Sequence, residues 1–127
     1  MGNLTRLDYH FVFVTRYRKK VLLGLESDVE RAFRAAAVGG NFEVIEFACD
    51  LGDHVHVVLR LSPNVSVSQV VRRLKQLTTL DLWSRHEVAF RKKYWKKNRV
   101  LWSSGYYAST IGEVSRDTAL EYVRKQS

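Results

Sequence analysis

Cysteine and proline are almost absent from this chain. Cys49 is the only cysteine in 127 residues, which excludes an internal disulfide and any cysteine-based zinc site. Pro63 is the only proline, and no low-complexity or linker-like stretch divides the sequence. No apolar run approaches the roughly 18 residues of a membrane-spanning helix. The opening MGNLTRLDYH lacks an apolar segment of the secretory type. These absences lead to the expectation of a cytoplasmic chain with no membrane partner, folded as one domain over residues 1–127. Acids are also scarce: 13 Asp and Glu stand against 21 Lys and Arg, a formal charge of +8. With 46% hydrophobic and 12% aromatic residues the composition is globular rather than that of a disordered basic tail. A folded domain this basic implies a polyanionic partner, and nucleic acid comes first.

The positive charge is clustered. Arg16, Arg18, Lys19 and Lys20 form one group, and Arg72, Arg73 and Lys75 a second. Arg91, Lys92, Lys93, Lys96, Lys97 and Arg99 form a third, interleaved with Phe90, Tyr94, Trp95 and Trp102. Between Arg72 and Trp102 ten Lys/Arg face only two acids, Asp81 and Glu87. Cations hold phosphates and aromatic faces stack unpaired bases, so the mixture suits single-stranded nucleic acid. The plainer alternative is a solvated basic surface over ordinary core aromatics.

Local patterns give an element order. Leu7–Thr15 is aromatic and β-branched and reads as a strand, with Leu7, Tyr9, Phe11 and Phe13 on its clearer face. Glu26–Val38 reads as a helix stopped by Gly39 and Gly40, with Val29, Ala32, Phe33 and Ala36 at helical spacing. Phe42–Cys49 and His54–Leu61 read as strands around a Gly52-Asp53 turn. Val65–Trp83 reads as a second helix capped by Ser66, with Val67, Val70, Val71, Leu74, Leu77 and Leu80 on its apolar face. Residues 84–99 have no clean period. A fourth strand is expected in Val100–Ala108, and a closing helix in Ser115–Gln126. This order, β-α-β-β-α-β plus a helix, is the split-βαβ plan. An α+β, ferredoxin-like fold follows: an antiparallel sheet, as in RNA-recognition motifs, with helices on one face and the other face left for function.

Asp53-His54-Val55-His56 carries the chemistry. Alternate strand residues share a face, so His54 and His56 project together while Val55, Val57, Leu59 and Leu61 project into the core. Two imidazoles side by side begin a divalent-metal site, though two histidines can also alternate on a strand without binding anything. On the closing helix Tyr122 and Gln126 stand four residues apart on one face. Taken singly, each reads as a packing or surface residue. Together with the histidines they suggest a nucleophilic phenol, with a metal held by His54, His56 and the Gln126 amide oxygen to polarise a phosphodiester.

In these residues the sequence resembles the HUH single-tyrosine transposases of small insertion sequences. The opening Tyr9-His10-Phe11-Val12-Phe13-Val14-Thr15-Arg16-Tyr17-Arg18-Lys19-Lys20, the Asp53-His54-Val55-His56 motif, Leu74-Lys75, Leu101-Trp102, Gly105-Tyr106-Tyr107 and the Tyr122-Val123…Gln126 ending lie in the family's order. The resemblance covers nearly the whole chain. It departs at Gly52, where the family often has proline, and at Lys75–Thr79, where small residues and serines are more usual. It implies that Tyr122 forms a 5′-phosphotyrosine link and frees a 3′-OH, with His54, His56 and Gln126 holding Mg²⁺ or Mn²⁺. It also implies a homodimer acting on single-stranded DNA with hairpin ends, at the nucleoid of a prokaryote and with no small-molecule substrate. The three basic groups, from Arg16 to Lys97, would bind the DNA. A non-catalytic or domesticated nucleic-acid-binding domain of the same fold is the alternative. A two-histidine phosphoesterase would need a second histidine motif, and a replication initiator further domains.

Overall fold

Strand alternation and two amphipathic helices generate the whole architecture. The computed structural model describes residues 7–95, 98–111 and 123–125. In chain order the elements are β1 (Leu7–Val14), α1 (Glu26–Ala37), β2 (Phe42–Asp50), β3 (His54–Leu61), α2 (Val67–Lys93) and β4 (Tyr107–Thr110). The strands form one sheet in the order β2-β3-β1-β4, with every neighbouring pair antiparallel. This is the expected ferredoxin-like order.

The sheet has two chemically different faces. Tyr9, Phe11 and Phe13 of β1 pair with Leu59, Val57 and Val55 of β3 on the helix-covered face. Phe11, Phe13, Val55 and Leu59 are fully buried there against Val29 and Phe33 of α1 and Val70 and Leu74 of α2. The rings of Phe13, Phe33 and Trp102 meet with centroids 5.8–5.9 Å apart. The opposite face carries His10, Val12 and Val14 of β1 beside Val58, His56 and His54 of β3. Leu7 closes the expected apolar row in sequence only: it lies at the sheet end and is 52% exposed.

β2 reaches this arrangement through a β-bulge. Its pairing with β3 skips Ile45, passing from Val44↔Leu59 to Glu46↔Val58. The extra residue reverses the alternation. Phe42 and Val44 face the core before it, and Phe47 and Cys49 after it, while Ala48 and Asp50 turn to the histidine face. The turn that follows is tight. Leu51 and Gly52 both have positive φ, +56° and +73°, and Leu22 N–H donates to Gly52 O at 3.0 Å. Proline, locked near −65°, could not occupy position 52 here, which accounts for the departure noted above.

α2 is longer than its hydrophobic period indicates. Ser66 caps it as expected, with a reciprocal bond pair to Gln69. The helix then continues through the basic segment to Lys93, interrupted only at His86, whose φ of −131° is non-helical. The kink rotates the second arm so that Phe90 packs inside, edge-on to Trp83, and Tyr94, the residue after the helix, is buried as well. The stripe therefore runs through Thr78, Leu82 and Trp83, and Leu80 is 52% exposed. Thr78 is buried because its hydroxyl donates to Leu74 O at 2.6 Å and accepts from Trp102 Nε1 at 3.0 Å. The fourth strand starts later than expected. Trp102 makes only an isolated bridge to Thr15, and β4 pairs with Tyr9–Val12. The closing helix expected over Ser115–Gln126 lies outside the described residues except for Val123–Lys125, which are helical.

Candidate metal centre on the open sheet face

His54 and His56 occupy the same face of β3, with ring centroids 5.0 Å apart. Neither is the solvent-facing side chain of a bare strand: His54 is buried at 1% exposure and the side chain of His56 is 11% exposed. The β2 bulge and the Leu51–Asp53 turn bring Asp50 directly opposite His54. Asp50 Oδ2 lies 3.9 Å from His54 Nε2 and 3.8 Å from His56 Nε2. One ligand atom from each residue lies within 4.8 Å of the other two. This separation suits three donors around one ion rather than direct hydrogen bonds. His54 Nε2 is buried and has no hydrogen-bond partner among the described residues, a costly state for a polar atom unless something binds it. The two-nitrogen, one-oxygen donor set fits a divalent cation of intermediate hardness.

Both histidines are oriented from behind. His54 Nδ1 lies 2.8 Å from Asp53 Oδ1, and Asp53 is itself buried. A carboxylate there fixes the proton on Nδ1 and leaves the Nε2 lone pair facing the site. Arg18 Nε stands 3.6 Å from the other Asp53 oxygen. His56 Nδ1 lies 3.1 Å from His10 Nε2, and the two rings stack at 5.3 Å. A ligand role for His56 Nε2 requires the proton on Nδ1, donated to His10. Sequence reasoning missed Asp50 and His10 and gave Asp53 no role. His10 was recoverable, since Phe11 and Phe13 facing the core put His10 and Val12 opposite.

Nearby groups are held out of the chemistry. Cys49 points to the core, where burial and then the carboxylates of Glu26, Asp50 and Asp53 push its thiol up to about 12. It remains a protonated thiol at neutral pH. Burial likewise raises Tyr94 far above the usual phenol range, and its hydroxyl donates to Arg16 O at 3.0 Å.

The basic residues divide by what they touch. Arg73 donates to Ala36 O and Val38 O, both at 2.8 Å, closing the C-terminus of α1. Lys75 Nζ donates to Ser103 O, Ser104 O and Gly105 O at 2.9–3.2 Å, and burial with Arg16 nearby lowers its pKa. Arg91 lies over the Trp83 ring at 4.6 Å, and Arg16 Nε donates to Trp102 O at 3.2 Å. These four hold the fold together. Lys20, Arg72, Lys92 and Lys93 are exposed and Arg18 and Lys19 partly so. Tyr122, Gln126, Lys96 and Lys97 lie outside the described residues. On the histidine face Val123 is 3% exposed and packs on Val12 and Val14, with Tyr107 beside them.

The chain thus carries a His-hydrophobe-His strand on the open face of a ferredoxin-like antiparallel sheet. Residues 3–126 match the family model described as "Transposase IS200 like", and the chain belongs to that family. It is 33% identical over 107 residues to the transposase of insertion sequence element IS200 from Salmonella typhimurium, an alignment covering 83% of this chain and 67% of that one. It is 28% identical over 126 residues to the ISDra2 transposase TnpA of Deinococcus radiodurans, covering 98% and 87%. A crystal structure of a transposase candidate from Deinococcus radiodurans R1 superposes with a TM-score of 0.84 at 24% identity, over 95% of this chain and 91% of that one. A REP-associated tyrosine transposase bound to a REP hairpin shares the fold at a TM-score of 0.56 and 16% identity, over 94% and 64%. No helix among the described residues is long and apolar enough to cross a membrane.

Proposed function

We propose that this chain, as one HUH transposase domain spanning residues 1–127, cuts and rejoins single-stranded DNA next to hairpins at insertion-sequence ends. The observation that carries the reading is the convergence of Asp50, His54 and His56 on the open sheet face, in a chain that belongs to the IS200-like transposases. The structural neighbour bound to a REP hairpin supports a hairpin substrate.

In this reading the Tyr122 phenol is the nucleophile. Its oxygen bonds to the scissile phosphorus as the P–O3′ bond breaks. The departing oxygen takes up a proton as a free 3′-OH, and the 5′-phosphate stays on the tyrosine. One phosphodiester is exchanged for another, so no external energy source is needed. His54 and His56 would hold Mg²⁺ or Mn²⁺, with Gln126, by the family resemblance, and Asp50, by position, as oxygen donors. Such an ion neutralises charge on the phosphate oxygens. The packing of Val123 on Val12 and Val14 supports a closing segment seated on the histidine face. The phenol ordinarily titrates near 10, so charge neutralisation at the phosphate is the help it needs near neutrality. The chain acts as a homodimer in the cytoplasm, at the nucleoid.

The test is incubation with labelled single-stranded DNA from the gene's own flanks plus Mg²⁺. A covalent protein–DNA adduct is expected, lost in Tyr122→Phe while hairpin binding persists. Adduct formation by Tyr122→Phe, or full activity in EDTA, overturns the mechanism. Hairpin binding without any adduct in the parent chain returns the non-catalytic binding domain.

A further inference from the structure

The segment between β1 and α1 arches over the Gly52-Asp53 turn and is bonded to it at two points. Thr15 N–H donates to Asp53 O at 3.0 Å, and Leu22 N–H to Gly52 O at 3.0 Å. The Thr15 hydroxyl lies 2.7 Å from Lys19 O and 3.2 Å from Asp53 O. Within the arch Tyr17 and Arg18 have φ of +62° and +52°, a region that non-glycine residues enter only at a cost. Bonds on either side hold the strain. Arg16 N–H donates to Leu101 O at 2.8 Å, and Arg18 N–H to Thr15 O at 2.9 Å. Strain retained in this way gathers where the chain must present a group at a fixed place. The group presented toward Asp53 is the Arg18 guanidinium.

Arg18 Nε stands 3.6 Å from Asp53 Oδ2. It is buried and has no hydrogen-bond partner among the described residues. The distance is too long for a hydrogen bond but within reach of an ion pair. The Asp53 side chain is 2% exposed, and a carboxylate at that depth needs a counter-charge. Among the described residues Arg18 is the one Lys or Arg that ion-pairs with it. The two carboxylate oxygens are thus divided: Oδ1 lies 2.8 Å from His54 Nδ1 and Oδ2 faces Arg18. The terminal torsion of an aspartate is otherwise soft, so a partner on each oxygen is what keeps the group from turning.

We propose that Arg18 is a positioning residue of the metal centre, holding the Asp53 carboxylate against His54, rather than a contact to DNA phosphate as its place in a basic cluster suggests. The inference rests on the reading of His54 as a metal ligand and deepens it: support runs from Arg18 through Asp53 to His54. The sign of the effect separates this role from plain electrostatics. A cation beside a dication site repels the ion, so charge alone would make Arg18→Gln bind Mn²⁺ more tightly. Loss of positioning makes it bind more weakly.

The test is calorimetric titration of the full chain with Mn²⁺ in the absence of DNA. Arg18→Gln should weaken binding about 3- to 10-fold, less than the roughly 10- to 100-fold cost of losing a histidine's direct partner. Arg18→Lys keeps the charge and should recover most of the affinity. In an Asp53→Ala background Arg18→Gln should add less than about twofold, as for residues acting in series. Thermal melts of the metal-free variants check the fold. Arg18→Met, which keeps an apolar stem, repeats the measurement if Arg18→Gln melts below the titration temperature. If the parent chain binds no Mn²⁺, the metal centre and this inference fail together. If the parent binds and Arg18→Gln binds as tightly or more tightly, the inference fails alone. A loss that persists undiminished in the Asp53→Ala background also overturns it, because Arg18 then acts by another route. A single-stranded DNA salt slope in EDTA that falls by about 0.7 in Arg18→Gln, with Mn²⁺ affinity unchanged, returns Arg18 to the phosphates.

Discussion

Replacing Asp53 with alanine should weaken Mn²⁺ binding about 10- to 100-fold, the usual cost of losing the group that orients a ligating histidine. That range corresponds to about 1.4–2.7 kcal/mol. The structure points to its upper half. Asp53 Oδ1 is 2.8 Å from His54 Nδ1, and at 2% exposure its place is not easily taken by water. Without it the imidazole loses the contact that fixes its tautomer and ring angle. Asp53→Asn keeps an oxygen acceptor for His54 and forfeits the charge and the oxygen that faces Arg18, so its loss should stay under about tenfold. The backbone contacts of residue 53, where Asp53 O accepts from Thr15 N–H at 3.0 Å, survive either change, and a thermal melt checks the fold. The assay is calorimetric titration with Mn²⁺ at fixed pH, with His54→Ala as the reference for a lost ligand. If Asp53→Ala binds Mn²⁺ within twofold of the parent while His54→Ala does not, the orienting role is refuted.

Other expectations follow from the same geometry. Asp50→Ala should lower Mn²⁺ affinity in the same titration, and an unchanged Kd would remove Asp50 from the ligand set. Gly52→Ala should destabilise the fold by about 1–3 kcal/mol, because φ there is +73° and a Cβ would meet Leu23 Cβ and the Leu23 backbone nitrogen at 2.9 Å; urea unfolding measures it. Arg31→Gln should cost about 1 kcal/mol near neutrality. In Asp81 the Arg31 hydrogen bond pulls the pKa down against burial, and in Asp28 burial pushes up but bonds from Arg31 and His86 outweigh it. Both folded values are depressed, so the stabilisation is complete above the unfolded carboxylate pKa of about 3.9 and is lost as pH falls through the lower folded values. The stability gap between parent and Arg31→Gln should therefore be widest at pH 7 and shrink below pH 4; a gap independent of pH refutes the assignment.

The strands with a strict two-residue period were legible. β3 spans His54–Leu61 as expected, and β1 and α1 end within one residue of expectation. The period failed where something non-periodic intervened. α2 was cut short because the His86 kink changes which face is buried, so Phe90 does not continue the stripe from Val70 and Leu74. Trp102 looked like strand but packs as an isolated bridge under Thr78. The histidine pair was legible because alternation alone puts both rings on one side. Asp50 was hidden because its side depends on a register skip at Ile45. The basic clusters showed charge but not its use, since the carbonyls that hold Arg73 and Lys75 come from Ala36, Val38 and residues 103–105.

The Ile45 skip also constrains how such a chain can change over generations. Keeping Ile45 unpaired decides whether Asp50 sits beside the histidines or turns to the core face. Pairing Ile45 with Val58 in an unbulged ladder would, by the same stroke, aim Asp50 into the core and Phe47 at the open face, whereas deleting Ile45 leaves Glu46–Asp50 opposite Val58–His54 as they are. A one-residue insertion within β3 would likewise exchange Val55 and Val57 for the histidines. Register changes in these strands therefore strike folding and chemistry together. Point substitutions at Asp50, Asp53, His54 or His56 leave the backbone pattern intact. A lineage that keeps this scaffold but abandons its chemistry should thus carry exchanged side chains at unchanged spacing.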